Sequence, residues 1–135
     1  MPEKSRTLTA LPSRSSRLTQ AQQLALGIAE VALEKKAAGI EIIDVDGKVD
    51  YADYLVLMSG RSDRQVSALA DNIEEEIRRR GRKCIAKEGL PGGAWVLMDY
   101  GDVVVHIFHQ EARAYYNLDA LWLDARRIDV PAQSA

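Results

Sequence analysis

Four places in the chain carry residue types that could do chemistry. Asp44-Val45-Asp46 has the spacing of paired carboxylates that hold metal ions for group transfer. Ser59-Gly60 closes an apolar run and Ser62 opens the next segment, a strand–turn–helix setting whose free amides suit a phosphate. His106, His109 and Cys84 are the only imidazoles and the only thiol. Arg78-Arg79-Arg80 is a dense run of positive charge of the kind that meets nucleic acid.

None of these completes a catalytic set. Along a strand, a spacing of three points His106 and His109 to opposite faces. A single cysteine allows neither an internal disulfide nor a cysteine-based zinc cluster, and fits a reducing compartment. The Ser59-Gly60 turn resembles the phosphate-gripping turn of nucleotidyltransferases, but those enzymes need two carboxylates on a neighbouring strand. Asp63 is followed two residues later by Gln65, and Asp44-Val45-Asp46 abuts Gly47 as strand-end and turn chemistry. The sequence lacks a G-x-S-x-G elbow, a G-x-x-x-x-G-K-[ST] loop and a G-x-G-x-x-G turn. The expectation is a protein without catalytic residues, metal or cofactor. A metal-dependent nucleotidyltransferase-like or nucleotide-binding enzyme is the alternative.

Arg78–Arg80 follow Glu74-Glu75-Glu76 by one turn at the end of a predicted helix, where the dipole favours cations and the acids pair with them. A solvated, self-compensated face is expected there. Charge elsewhere is uneven: with a net −2, +3 on residues 1–19 and +1 on residues 126–135 leave −6 on residues 20–125. Such an acidic body is a poor primary binder of nucleic acid and suits a basic protein partner.

These residues need a frame. At 135 residues, 47% hydrophobic and 28% charged, the chain has the material for one soluble domain. No apolar stretch approaches the roughly eighteen residues of a membrane span. Residues 1–18 are basic and rich in Ser and Thr without apolar periodicity, which predicts a flexible arm; a transit peptide is the other reading, disfavoured by Pro2, Glu3 and Pro12. Thr19 to Gln22 forms a capping box for a first helix carrying Leu24, Ile28, Val31 and Ala32 and stopped by Gly39. Strands are predicted over 40–45, 54–59 and 82–86, a second helix from Ser62, a loop over 88–93, and a helix over 111–123 broken near Asn117. Residues 126–135 read as a loose tail. The order α-β-β-α-β-β-β-α predicts a single mixed α/β domain over residues 19–125, with about five strands and helices packed on the sheet.

Residues 95–108, WVLMDYGDVVVHIF, read as a hairpin turned by Gly101-Asp102, with glycine first as a type II′ turn requires. Pairing then sets Tyr100, Met98 and Val96 against Val103, Val105 and Ile107 on a wholly apolar face that must meet the core. The other face joins Asp99 with Val104, Leu97 with His106 and Trp95 with Phe108. Buried under a helix, Asp99 and His106 would each need a partner or bear a desolvation cost. Left in water, the aromatics would form an apolar patch suited to a protein partner. Coverage by the last helices, with His106 a satisfied core histidine, is the competing arrangement.

Several segments in order carry a resemblance. They are Ala52-Asp53-Tyr54-Leu55-Val56, Ser59-Gly60, Ser62, Gln65-Val66, Glu88-Gly89, Trp95 through Phe108 with Asp99-Tyr100-Gly101-Asp102 and Val105-His106, and Arg113, Tyr116 and Leu121-Trp122. From about residue 20 to 125 the chain resembles the ribosomal silencing factor, or Iojap-like, family. That resemblance implies a nucleotidyltransferase-like α/β fold lacking the catalytic carboxylates. It implies a cytoplasmic, non-enzymatic translational repressor that binds the large ribosomal subunit through ribosomal protein uL14, blocks joining of the small subunit and assists subunit maturation. It implies partner contacts at Trp95, Asp99, Tyr100, Asp102, His106, Phe108 and Tyr116. Four of those share the mixed hairpin face, so the expectation is an open face with aromatics outside. A second copy of the chain is another candidate occupant.

Overall fold

The computed structural model describes residues 13–89 and 94–131. Its elements are α1 (Arg14–Glu34), β1 (Ala38–Asp44), β2 (Tyr54–Gly60), α2 (Asp63–Arg79), β3 (Ala86–Gly89), β4 (Trp95–Asp99), β5 (Val103–His109), α3 (Gln110–Tyr116), α4 (Leu118–Leu121) and β6 (Arg127–Ile128). One mixed sheet runs β3-β4-β5-β2-β1-β6. Only β2 and β5 are parallel neighbours; the other pairs run antiparallel.

Side-chain alternation divides the interior into two cores. Tyr54, Val56, Met58, Val103, Val105 and Ile107 point to one face, where α1 and α2 supply Ile28, Val31, Val66, Leu69 and Ile73. Leu55, Leu57, Val104 and Phe108 point to the other, where Ala112, Leu118, Trp122 and Ala125 close over them. Strands β2 and β5 are thus buried on both sides, which is why their sequences are almost continuously apolar.

The α2 boundaries follow the sequence rules. The Ser62 hydroxyl accepts from the Gln65 amide, and the Gln65 carboxamide accepts from the Arg61 amide. Arg78, Arg79 and Arg80 pair with Glu75 and Glu76, and Arg80 also reaches Glu30 at 2.9 Å. That face is self-compensated.

Several local expectations are corrected. Helix α1 starts at Arg14, not Thr19: Ser13 caps it by accepting from the Ser16 amide, while Thr19 lies inside and donates back to the Ser15 carbonyl. Arg14, read as part of a flexible arm, is helical and pairs with Asp46; residues 1–12 lie outside the described residues. The helix is ended by left-handed Lys36 (φ 66°), while Gly39, left-handed as well (φ 56°), lies within β1. Residues 82–85 are not a strand, because the Arg82 amide closes the end of α2 on the Ile77 carbonyl and its guanidinium holds Asp102 at 2.7 Å and the Tyr100 carbonyl at 3.0 Å. Pairing starts at Ala86 and takes in Glu88 and Gly89, expected as loop; residues 90–93 lie outside the described residues. Finally, the expected loose tail contains a sixth strand. Ile128 pairs with Ile42 and Arg127 with Ile43, and the Arg127 side chain holds Glu41 at 3.0 Å. Residues 132–135 lie outside the described residues.

Candidate partner-binding site

The hairpin has the register its alternation predicts: Trp95 opposite Phe108, Leu97 opposite His106, Asp99 opposite Val104. The Tyr100 amide donates to the Val103 carbonyl at 2.9 Å across a two-residue loop. Gly101 has φ 95°, and Asp102 is not among the residues with positive φ, as a type II′ turn requires.

The outer face is not open along its length. After β5 the chain turns at His109, whose ring accepts from the Glu111 amide, and α3 and α4 return across the sheet. Phe108 is 0% exposed and His106 6%. The expectation of an uncovered ribbon is therefore corrected for its β5 half. Covering these groups removes a large apolar area from water, and His106 can enter because its polar atom has a partner. That partner is Trp95, whose Nε1–H donates to His106 Nδ1 at 3.0 Å. Burial pushes the imidazole down to about 4, so it stays neutral and able to accept. The Trp95 ring packs on Phe108 and on Tyr116, both with centroids 4.9 Å away.

The cover is latched by Arg113 of α3. Its guanidinium holds both carboxylate oxygens of Asp119 (2.9 and 3.1 Å), donates to Ser59 Oγ at 3.0 Å, and bonds the Gly39 carbonyl. The hydrogen bonds from Arg113 keep the Asp119 carboxyl below its ordinary range. The sequence reading singled out Arg113 only by resemblance; nothing local signals a clamp that spans 74 positions to Gly39.

The remaining expected site residues part company. Tyr100 is 2% exposed, inside the α1–α2 core, with a hydroxyl that finds no hydrogen-bond partner among the described residues. Asp102 is held by Arg82 at 2.7 Å. Asp99 is half-buried at the end of β4, its carboxylate accepting from the Gly101 amide at 2.8 Å. Tyr116 is 44% exposed. Among the described residues the face thus stays bare toward β3 and β4, where half-buried Trp95 and Leu97 border a hollow of about 210 Å³ with Glu88 and Gly89. The hairpin register contained the signal for the Trp95–His106 bond, since aromatic side chains reach diagonal neighbours on one face.

The groups suspected of chemistry are otherwise engaged. Ser59 Oγ accepts from Arg113, Asp44 lies 3.7 Å from Arg126, and Asp46 pairs with Arg14. Among the described residues no cluster of His, Cys, Asp or Glu is arranged to hold a metal ion. Among them, too, no helix is long and apolar enough to cross a membrane.

The sheet is covered over most of both faces and, among the described residues, is bare at one aromatic, acidic end. The chain belongs to the ribosomal silencing factor family: the model for "Ribosomal silencing factor during starvation" matches residues 18–135. The ribosomal silencing factor of Bacillus subtilis is 42% identical over 110 residues, covering 81% of this chain and 93% of that protein. That of Zymomonas mobilis is 38% identical over 102 residues, 76% of this chain and 77% of the relative. Among solved structures, a Chromobacterium violaceum protein matches with TM-score 0.69 at 28% identity, covering 87% of this chain and 98% of that one.

Proposed function

We propose that this chain is a cytoplasmic translational repressor that binds the large ribosomal subunit through ribosomal protein uL14. Its bulk then obstructs joining of the small subunit, and the same binding assists large-subunit maturation. The action is steric and involves no bond-making. The enzyme alternative rests on the Ser59-Gly60 turn, and Ser59 is already occupied by Arg113.

The observation that carries this reading is Trp95, half-buried at the bare end of the sheet and pinned there by His106. A rigid aromatic beside polar neighbours is the residue type that dominates protein–protein contacts. Trp95, Leu97, Asp99 and Tyr116 make the contact in this scheme, with Asp102 at its edge beside Arg82. Buried Phe108, His106 and Tyr100 support them from behind. The net −6 of residues 20–125 steers the domain toward a basic ribosomal protein, an effect that weakens with salt. Self-association through the same end would compete with ribosome binding.

Purified protein mixed with isolated large subunits tests the reading. The wild type co-sediments and blocks pairing with small subunits, whereas Trp95→Ala, still folded by circular dichroism, does neither. Wild-type-like sedimentation of folded Trp95→Ala would remove this end of the sheet from the mechanism.

A further inference from the structure

Among the described residues strand β3 is a free sheet edge, and it differs from the edge at the other side. There, β6 offers only two residues, and Arg127 ties itself to Glu41 and to the Ala125 carbonyl. Strand β3 offers four residues, Ala86–Gly89, all exposed. Among the described residues, beyond their pairing with β4, only the Cys84 thiol bonds their main chain, at the Ala86 carbonyl (3.2 Å). Edges of this kind are usually blunted by outward charge. Lys87 does not do so, because its ammonium is drawn onto α2 by Glu74 (2.7 Å) and Asp71 (3.4 Å).

We propose that the ribosomal partner adds an extended, basic segment to β3 as a seventh strand. The proposal rests on the docking function above and specifies how the contact is made. Main-chain hydrogen bonds to β3 supply affinity, and alternate side chains supply specificity. One apolar side chain of the incoming strand fits the hollow of about 210 Å³ between Glu88, Gly89, Trp95 and Leu97. The charge around the edge selects the partner. Glu88 and Asp99 have no cationic partner among the described residues, and Lys87 is neutralised by two acids. A second copy of this acidic edge is repelled, whereas a strand bearing Lys or Arg is drawn in.

Hydrogen–deuterium exchange on the full chain, free and bound to purified large subunits, tests this. Strand addition slows exchange of outward amides within residues 86–89 by at least about tenfold, the worth of one or more hydrogen bonds. Glu88→Lys, an exposed substitution, weakens binding about tenfold through charge reversal. Co-sedimentation with unchanged exchange over 86–89 overturns strand addition and leaves the ribosome-binding reading standing. Unaltered affinity of Glu88→Lys overturns the choice of a basic strand. Failure of the wild type to co-sediment overturns both readings together.

Discussion

The Trp95 indole N–H donates to Nδ1 of His106 at 3.0 Å. One bond thereby solves two problems on the hairpin's outer face. It gives a buried imidazole a partner, leaving the ring proton on Nε2, and it fixes a half-buried indole at the rim of the covered region.

Burial of this imidazole makes stability depend on pH. His106 ionises near 4 in the fold against an ordinary value of 6.5, so between those values the unfolded chain binds a proton that the native state refuses. The contribution is whole above about pH 6.5 and is lost as pH falls toward 4, by about 2 kcal/mol at pH 5. Urea unfolding at pH 7.5 and 5 measures it. His106→Gln lacks this component, and an identical pH slope in that variant would refute the assignment.

Removing rings from this cluster separates support from contact. Phe108→Ala empties a fully buried site and destabilises by about 3–5 kcal/mol. Trp95→Phe keeps an aromatic against Tyr116 but leaves His106 without its donor, at about 1–2 kcal/mol. Denaturant midpoints give both values. Ribosome binding falls disproportionately for Trp95→Ala, whose loss of stability is smaller than that of Phe108→Ala.

Arg113 latches the C-terminal cover. Its side chain is 13% exposed and Asp119 accepts from it through both oxygens, so Arg113→Met leaves a carboxylate unpaired in a half-buried place. A loss of about 2–3 kcal/mol is expected. Faster amide exchange over 110–121, with α1 and α2 unchanged, identifies the loss as release of the cover; uniform acceleration would not.

Gly39 is where the latch meets β1. It has φ +56°, and a Cβ there would stand 2.8 Å from Arg113 Nη1. Gly39→Ala therefore destabilises by about 1–3 kcal/mol through left-handed strain and displacement of the guanidinium. In the Gly39→Ala/Arg113→Met double variant the two losses sum to more than the measured total. Strict additivity would show that the two residues do not communicate.

Much of the frame was legible in the chain because the rules that govern it are local. Ser62 with Gln65 announces α2, Asn117 breaks the last helix in the left-handed region, and period-two alternation sets the hairpin register. Local rules failed where distant groups competed. Ser13 outbids Thr19 as a cap, Arg82 leaves the sheet to hold Asp102, and Arg127 joins β1 by pairing with residues more than eighty positions earlier.

The candidate site divides along the same line. Which side chains share a face is a property of strand geometry, and the sequence determined it: Trp95, Leu97 and Asp99 with Val104, His106 and Phe108. Which of them meets water depends on where residues 110–125 come to rest, and only the tertiary structure decided that. The return of α3 and α4 over β5 depends on Arg113 reaching Gly39, Ser59 and Asp119 and on apolar burial summed across segments far apart in the chain. Phe108 and His106 went inside, whereas Trp95, which the cover meets through the Tyr116 ring, stayed half-buried.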